Sequence, residues 1–284
     1  MAIACRGRRL PCLELASVLA LAVCCCAQAT AAETTRYVAL VDSGHRAGHQ
    51  LVTHNDDGSV TVDFRFKDNG RGPELTERYT LAPDGTYLSY SVEGTSTFGA
   101  PVDEEFRREG DRAHWRTTSD QGATAVDGTR LYLPLGGTPA ALSVAMGAIA
   151  REGDGALDLM PHGTLRMDDV AVVEVRQGGE QRTVQLLALT GMGLTPTYAW
   201  ATTGARPRLF AFIIPGYVQL IEEDWARSAD ALEERQKRAE DEHLDSGVVH
   251  QAGRAALLSR PVDADRTLQR VHQRRHRGCD PAQR

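Results

Sequence analysis

Val60-Thr61-Val62-Asp63-Phe64-Arg65-Phe66 alternates apolar and polar residues. A strand with one buried and one wet face requires that pattern, because successive side chains point to opposite sides. Asn55-Asp56-Asp57-Gly58, just before it, is a tight-turn signal. Working outward, the same grammar recurs. Residues 75–81 and 86–92 flank Pro83-Asp84-Gly85, and residues 104–108 and 113–117 flank Glu109-Gly110-Asp111. Further on, residues 170–176 and 182–189 flank Gly178-Gly179, and residues 197–201 and 208–214 flank residues 204–207. About ten strands joined by short turns predict sequential antiparallel pairing.

Two segments break this rhythm. Thr138-Pro139 reads as a helix start, and the run that follows to Ala150 is apolar nearly all round, with Leu142, Ala145, Met146 and Ile149 on one face. A helix of that kind is buried, which places it against the concave side of the sheet. The second helix is expected over residues 220–245, with Ile221, Trp225, Ala229 and Leu232 as a narrow apolar stripe on an otherwise acidic surface. The fold expected is therefore mainly β (α+β): a large antiparallel curved sheet or half-barrel with one buried helix near 139–151, followed by a C-terminal surface helix. Its parts are a signal peptide at 1–32, a β-rich domain at 33–219, an acidic amphipathic connector helix at 220–245 and a disordered basic tail at 246–284.

Arg6, Arg8 and Arg9 precede an uncharged apolar run over residues 15–27, and small residues follow through Ala32. That order is the pattern of a secretory leader. The run is shorter than the roughly 20 residues that span a bilayer, so the sequence predicts export to the periplasm or beyond, without a membrane span. A lipid anchor at Cys24 is disfavoured, because Val23 stands where lipidation calls for Gly, Ala or Ser. Of the six cysteines, only Cys279 lies beyond this leader, so the remainder must hold its fold by a core alone. A formal net charge of -6 offers no footprint for nucleic acid.

No catalytic constellation emerges from the residue spacing. His45 and His49 stand four apart, but Gly44 and Gly48 argue against the helix that would give that spacing meaning. His54, His114 and His162 are isolated. Asp103-Glu104-Glu105, Asp168-Asp169 and Glu222-Glu223-Asp224 are sequence neighbours that a strand would turn to opposite faces, and they read as solvated. Gly94-Thr95-Ser96-Thr97-Phe98-Gly99 lacks the spacing of a nucleophile elbow. The sequence supports no catalytic residue, no metal ligand and no cofactor, and it singles out no ligand-binding residues beyond the possibility that Leu142, Met146 and Ile149 line a cavity.

Several strings carry a resemblance. Residues 66–73 (Phe-Lys-Asp-Asn-Gly-Arg-Gly-Pro), 94–104, 133–139 (Leu-Pro-Leu-Gly-Gly-Thr-Pro) and Gly193-Leu194-Thr195-Pro196 with Trp200 are four of them. Residues 208–212, followed by Ile221-Glu222-Glu223, complete the set. Together, over about residues 36–244, they resemble the N-terminal β-rich region of secreted bacterial amidohydrolase-superfamily proteins. The resemblance implies metal-dependent C–N bond hydrolysis by a barrel that would follow this region, but no His-x-His occurs here from which its ligands could be carried over. It implies an accessory module whose partner is a catalytic amidohydrolase domain or chain, with residues 246–284 a truncation or frame-shift product. Two rival expectations stand beside it: a periplasmic carrier or binder of an apolar ligand, and a hydrolase with an unrecognised site.

Overall fold

The computed structural model describes residues 33–258 except Ser43, with side chains described as far as His243. The expected leader, Cys24, and residues 259–284 with Cys279 lie outside the described residues. Strands β1 (Glu33–Val41), β2 (His45–His54), β3 (Val60–Phe66), β4 (Glu74–Leu81), β5 (Tyr87–Thr95), β6 (Pro101–Glu109), β7 (Arg112–Arg116) and β8 (Gln121–Ala125) follow as hairpins. Then β9 (Arg130–Tyr132) and β10 (Ala156–Met160) lie parallel, with helix α1 (Ala141–Glu152) as the crossover between them. Finally β11 (Thr164–Gln177), β12 (Glu180–Thr190), β13 (Thr197–Thr202), β14 (Leu209–Ile214) and β15 (Val218–Glu222) return as hairpins until β15 pairs with β1. The result is one open, curved sheet of 15 strands, ordered β8 to β1 and then β15 to β9.

This is the mainly β architecture expected, with more strands than the turn signals disclosed. Val62 stands opposite Val52 on β2 and Glu77 on β4, so the alternation that opened the analysis does set one face inward. The inward face forms the main core, where Val60, Val62, Phe66, Tyr79, Tyr90 and Phe106 meet Met146 and Ile149 of α1. Met146 and Ile149 are fully buried, each contributing about 1.5–3 kcal/mol by its removal from water.

α1 begins slightly later than the Thr138-Pro139 signal suggests. Thr138 Oγ1 accepts a hydrogen bond from the Ala140 N–H at 3.2 Å, and the carbonyls of Thr138, Pro139 and Ala140 each accept from the residue three along. The cap thus starts a tight turn that leads into the helix. Gly153, at φ 80°, ends it, a left-handed conformation that costs glycine nothing.

A second core lies on the outer face of the C-terminal half. Val38, Leu40, Leu186, Trp200, Phe210 and Ile221 are covered there by Trp225, Ala229 and Leu232. Trp225 belongs to a 3-10 turn (Glu223–Ser228), and the other two to helix α2 (Ala229–Leu258). Trp200 Nε1 donates to Gln236 Oε1 at 3.0 Å, and Gln236 Nε2 donates to the Ile213 carbonyl at 3.0 Å. The apolar stripe docks as expected, but its boundaries differ. Residues 220–222 belong to β15 rather than to the start of a helix, because Leu220 fills the inner core while Ile221 fills the outer one. A strand buried on both faces shows no alternation. At its other end α2 continues to Leu258, past residue 246, where the basic tail was expected to begin without structure.

Candidate functional site: a cleft beneath the buried helix

Take the end of the sheet at which β1 finishes as the upper end. Antiparallel pairing then puts the turns at 55–59, 82–86 and 203–208 at the lower end. α1 runs downward between β9 and β10, so its last turn arrives at the lower end too. There a cleft of about 240 Å³ opens between α1 and the inner wall of the sheet. Its floor is Tyr37, Val52, Val60, Tyr79 and Leu209, and Ser143, Val144 and Gly147 form the helix side.

Two hydrogen bonds fix the floor. Tyr37 Oη donates to the Leu209 carbonyl at 2.7 Å, and the Leu209 N–H donates to Ser143 Oγ at 2.9 Å. The helix and β1 are therefore both tied to one residue of β14. Burial pushes the Tyr37 hydroxyl well above the ordinary tyrosine range, so it remains a neutral donor.

The mouth is cationic. Arg151, Arg206 and Arg208 all line it, with His54 beside them. Arg151 Nη1 donates to the Gly147 carbonyl at 2.8 Å. A Cβ on Gly85 would stand 2.2 Å from that same nitrogen, so any side chain there would displace the guanidinium, and the turn itself calls for glycine by its φ of 86°. Among the described residues none of these three arginines forms an ion pair. The lining carboxylate, Glu222, accepts instead from Arg182 Nη1 at 2.5 Å, and Arg182 lies over the Trp225 ring on the outer side. Burial raises the pKa of Glu222, while Arg182 and, more weakly, Arg208 oppose the shift. Guanidinium groups over an apolar floor match a carboxylate or phosphate attached to a hydrocarbon.

A second polar cluster lies inside the sheet, at the upper end. Glu104 accepts from Tyr132 Oη at 2.6 Å, from the Leu135 N–H at 3.1 Å and from the Gly136 N–H at 2.8 Å. Glu77 Oε1 accepts from Tyr90 Oη at 2.9 Å and from the Thr138 N–H. These two carboxylates clamp residues 133–139 against the inner wall of the sheet at its upper end. Glu104 is only 2% exposed, which corrects its reading as solvated: it is the one inward-facing residue of its acidic triplet. The loop comes so close that a Cβ on Gly136 would stand 2.7 Å from Val102.

Burial pushes the Glu77 carboxyl up, against the hydrogen bonds that favour its charge. The unfolded chain ionises this group near 4.5, whereas the folded chain keeps the proton to higher pH. Its contribution to stability therefore falls as pH rises above about 4.5 and stays lower above the folded value. The Tm of Glu77→Gln minus that of the unaltered protein should accordingly grow between about pH 4 and about pH 8. A difference that does not change across that range would show that Glu77 titrates alike in the folded and unfolded chain, so that burial does not raise its pKa.

The remaining candidates fall apart in space. His45 and His49 lie on β2, where four residues span about 13 Å, too far to share one metal ion. Among the described residues no cluster of three or more His, Cys, Asp or Glu could hold a metal. Leu142, Met146 and Ile149 belong to the main core and do not line the cleft, so the helix faces the cleft with its opposite side. The arginines at the mouth were missed. Arg151 reads in sequence as a helix C-terminal charge, and Arg206-Pro207-Arg208 as an ordinary turn.

No family model matches this sequence, and no curated protein matches it. Among solved structures it is similar to a β-barrel-like protein of the domain of unknown function DUF1849 from Brucella abortus. The identity is 11% and the TM-score 0.40, covering 66% of this chain and 94% of that one. It is also similar to a DUF1089 family protein from Pseudomonas aeruginosa, with 13% identity and a TM-score of 0.33, covering 59% of this chain and 89% of that one. These neighbours are not amidohydrolase N-terminal regions, which corrects the resemblance drawn from the motif strings. The strings quoted for it are largely turns and the clamped 133–139 loop, features that many hairpin-rich sheets need.

Proposed function

We propose that this chain is an exported binding protein for a small amphiphilic anion, held in the cleft beneath α1. The apolar body would lie on Val52, Val60 and Leu209, and the head at Arg151, Arg206 and Arg208. The observation that carries this reading is the pairing of an apolar floor with three arginines that form no ion pair among the described residues, against one lining carboxylate, Glu222, which is already bonded to Arg182 and also feels Arg208. Arginines that serve only solubility have no reason to converge on one apolar opening. The cleft is smaller than the roughly 300–1,000 Å³ of drug-sized sites, which selects a short chain. The arginine-rich leader and apolar run over residues 1–27 support export.

Calorimetric titration with octanoate, octanol and octylamine tests the reading. Octanoate should bind saturably, octanol at least tenfold more weakly, and octylamine not at all. Arg206→Gln should weaken octanoate about tenfold, the loss of about 1.4 kcal/mol, and leave octanol unchanged. Gly147→Leu should abolish both, because a Cβ there has only ordinary contacts, at 3.6 Å and beyond, and the longer side chain would fill the cleft. Octanoate binding that is equal in all three proteins would overturn the proposal.

A further inference from the structure

Building on the cleft reading, we infer that its ligand carries an uncharged hydroxyl at the end opposite the anionic head, and that Gln50 recognises it. Gln50 has no exposed surface, yet neither its Oε1 nor its Nε2 has a hydrogen-bond partner among the described residues. An enclosed amide without partners costs free energy that an apolar side chain of the same length would not. Its place on β2 ties it to the cleft. Val52 and His54 both line that cleft, and β2 pairs with β3 in unbroken register from Gly48 to His54. Gln50 therefore projects to the same face, two residues further up. It stands directly opposite Tyr37, which belongs to the cleft floor. The mouth is at the lower end, and the helix wall rises from Arg151 to Ala140, about 16 Å of helix. Gln50 lies about 13 Å above His54 along β2, just past Val52 at the inner end.

The chemistry of the distal group follows from what surrounds that end. Tyr37 and Ser143 are both engaged with Leu209, which leaves the Gln50 amide as the group in need of a partner. An amide offers an acceptor oxygen and a donor nitrogen, and a hydroxyl can answer either. Two carboxyls flank this end in register. Glu222 stands opposite Tyr37 and is already bonded to Arg182, and Glu77 lies two strands over from Val52. Glu77 Oε2 is likewise buried with no partner among the described residues. A second carboxylate on the ligand would thus leave water for an apolar wall flanked by acids, which selects a neutral group. Gln50 turns about three side-chain bonds, so its amide can meet a hydroxyl that arrives past Val52.

Calorimetric titration of the full chain with octanoate, ω-hydroxyoctanoate and octanedioate provides the test. The hydroxy acid should bind about tenfold more tightly than octanoate, and octanedioate more weakly than octanoate. Gln50→Met keeps the length of the side chain and removes its amide. In that variant the hydroxy acid should bind no more tightly than octanoate, and the Tm without ligand should rise. If octanoate binds to the unaltered chain and the hydroxy acid binds no more tightly, this inference falls and the cleft reading stands. If neither binds, both fall. A hydroxyl preference that survives Gln50→Met would also overturn the inference, as would a lower Tm in that variant, since the amide would then serve the fold.

Discussion

Met146→Asp should cost about 3–5 kcal/mol of unfolding free energy, because it strands an unpaired charge at a position with no exposed surface. A domain of ordinary stability has about 5–15 kcal/mol in total, so this one change would bring the protein to the margin of unfolding at ambient temperature. Met146→Leu conserves shape and polarity and should cost less than about 1.5 kcal/mol. Urea unfolding followed by tryptophan emission measures both, since Trp200 and Trp225 lie in the outer core and report global unfolding rather than local change around α1. A midpoint for Met146→Asp within error of the unaltered protein would falsify the placement of α1 inside the sheet.

Glu104→Ala is expected to rank next. It deletes the acceptor for Tyr132 Oη and for the Leu135 and Gly136 N–H groups at once. Leaving a buried donor without a partner costs about 1–3 kcal/mol, and of the three only the Tyr132 hydroxyl bond is buried, the Leu135 and Gly136 bonds being part-buried, so a loss of about 2–3 kcal/mol is expected. The signature is local as well as global: hydrogen exchange at the Leu135 and Gly136 amides should accelerate far more than exchange in β12 or β13. Glu104→Gln keeps an acceptor at one position but turns an amide nitrogen toward an N–H at the other, so its cost should fall between those of alanine and the unaltered residue. If the two amides exchanged no faster in Glu104→Ala, the clamp would not be what holds the loop.

Much of the fold was legible because its physics is local. Asp57 Oδ1 accepts from the Ser59 N–H at 2.9 Å, closing the turn that the run from Asn55 to Gly58 announced. Asp84 does the same for Thr86 in the next hairpin at 2.9 Å. Strands with one wet face followed their alternation, and the all-round apolar run fixed α1. Strands that the alternation missed had other constraints. β15 and the second half of β1 are buried on both sides, β8 is a short polar edge, and β9 has three residues. None of these shows a period of two in its sequence.

The site was less legible for a related reason. Its parts come from β1, β2, α1 and the turn before β14, which the chain brings together only through the β1–β15 pairing. No spacing along the sequence encodes that juxtaposition. The helix misled as well: its most apolar face is the one packed into the core, while the smaller side chains Ser143, Val144 and Gly147 make room for the cleft. A cavity beside a helix needs small residues, and an apolar stripe points to the face where space is already filled.

The seam between β1 and β15 also governs the order in which the molecule can be completed. β1 is made first, and β2 can zip against one of its edges as soon as it follows. The other edge has no partner until Val218–Glu222 exists, by which time every other strand among the described residues has been synthesised. Throughout that interval the unpaired backbone of Tyr37, Val38, Ala39 and Leu40 is a template open to strands of other chains. Hairpins can form early on either side of it, but their two groups cannot be joined before the last strand arrives. A nascent chain of this design has its greatest need of a chaperone just short of residue 218, where one missing strand leaves both halves of the sheet with an open edge.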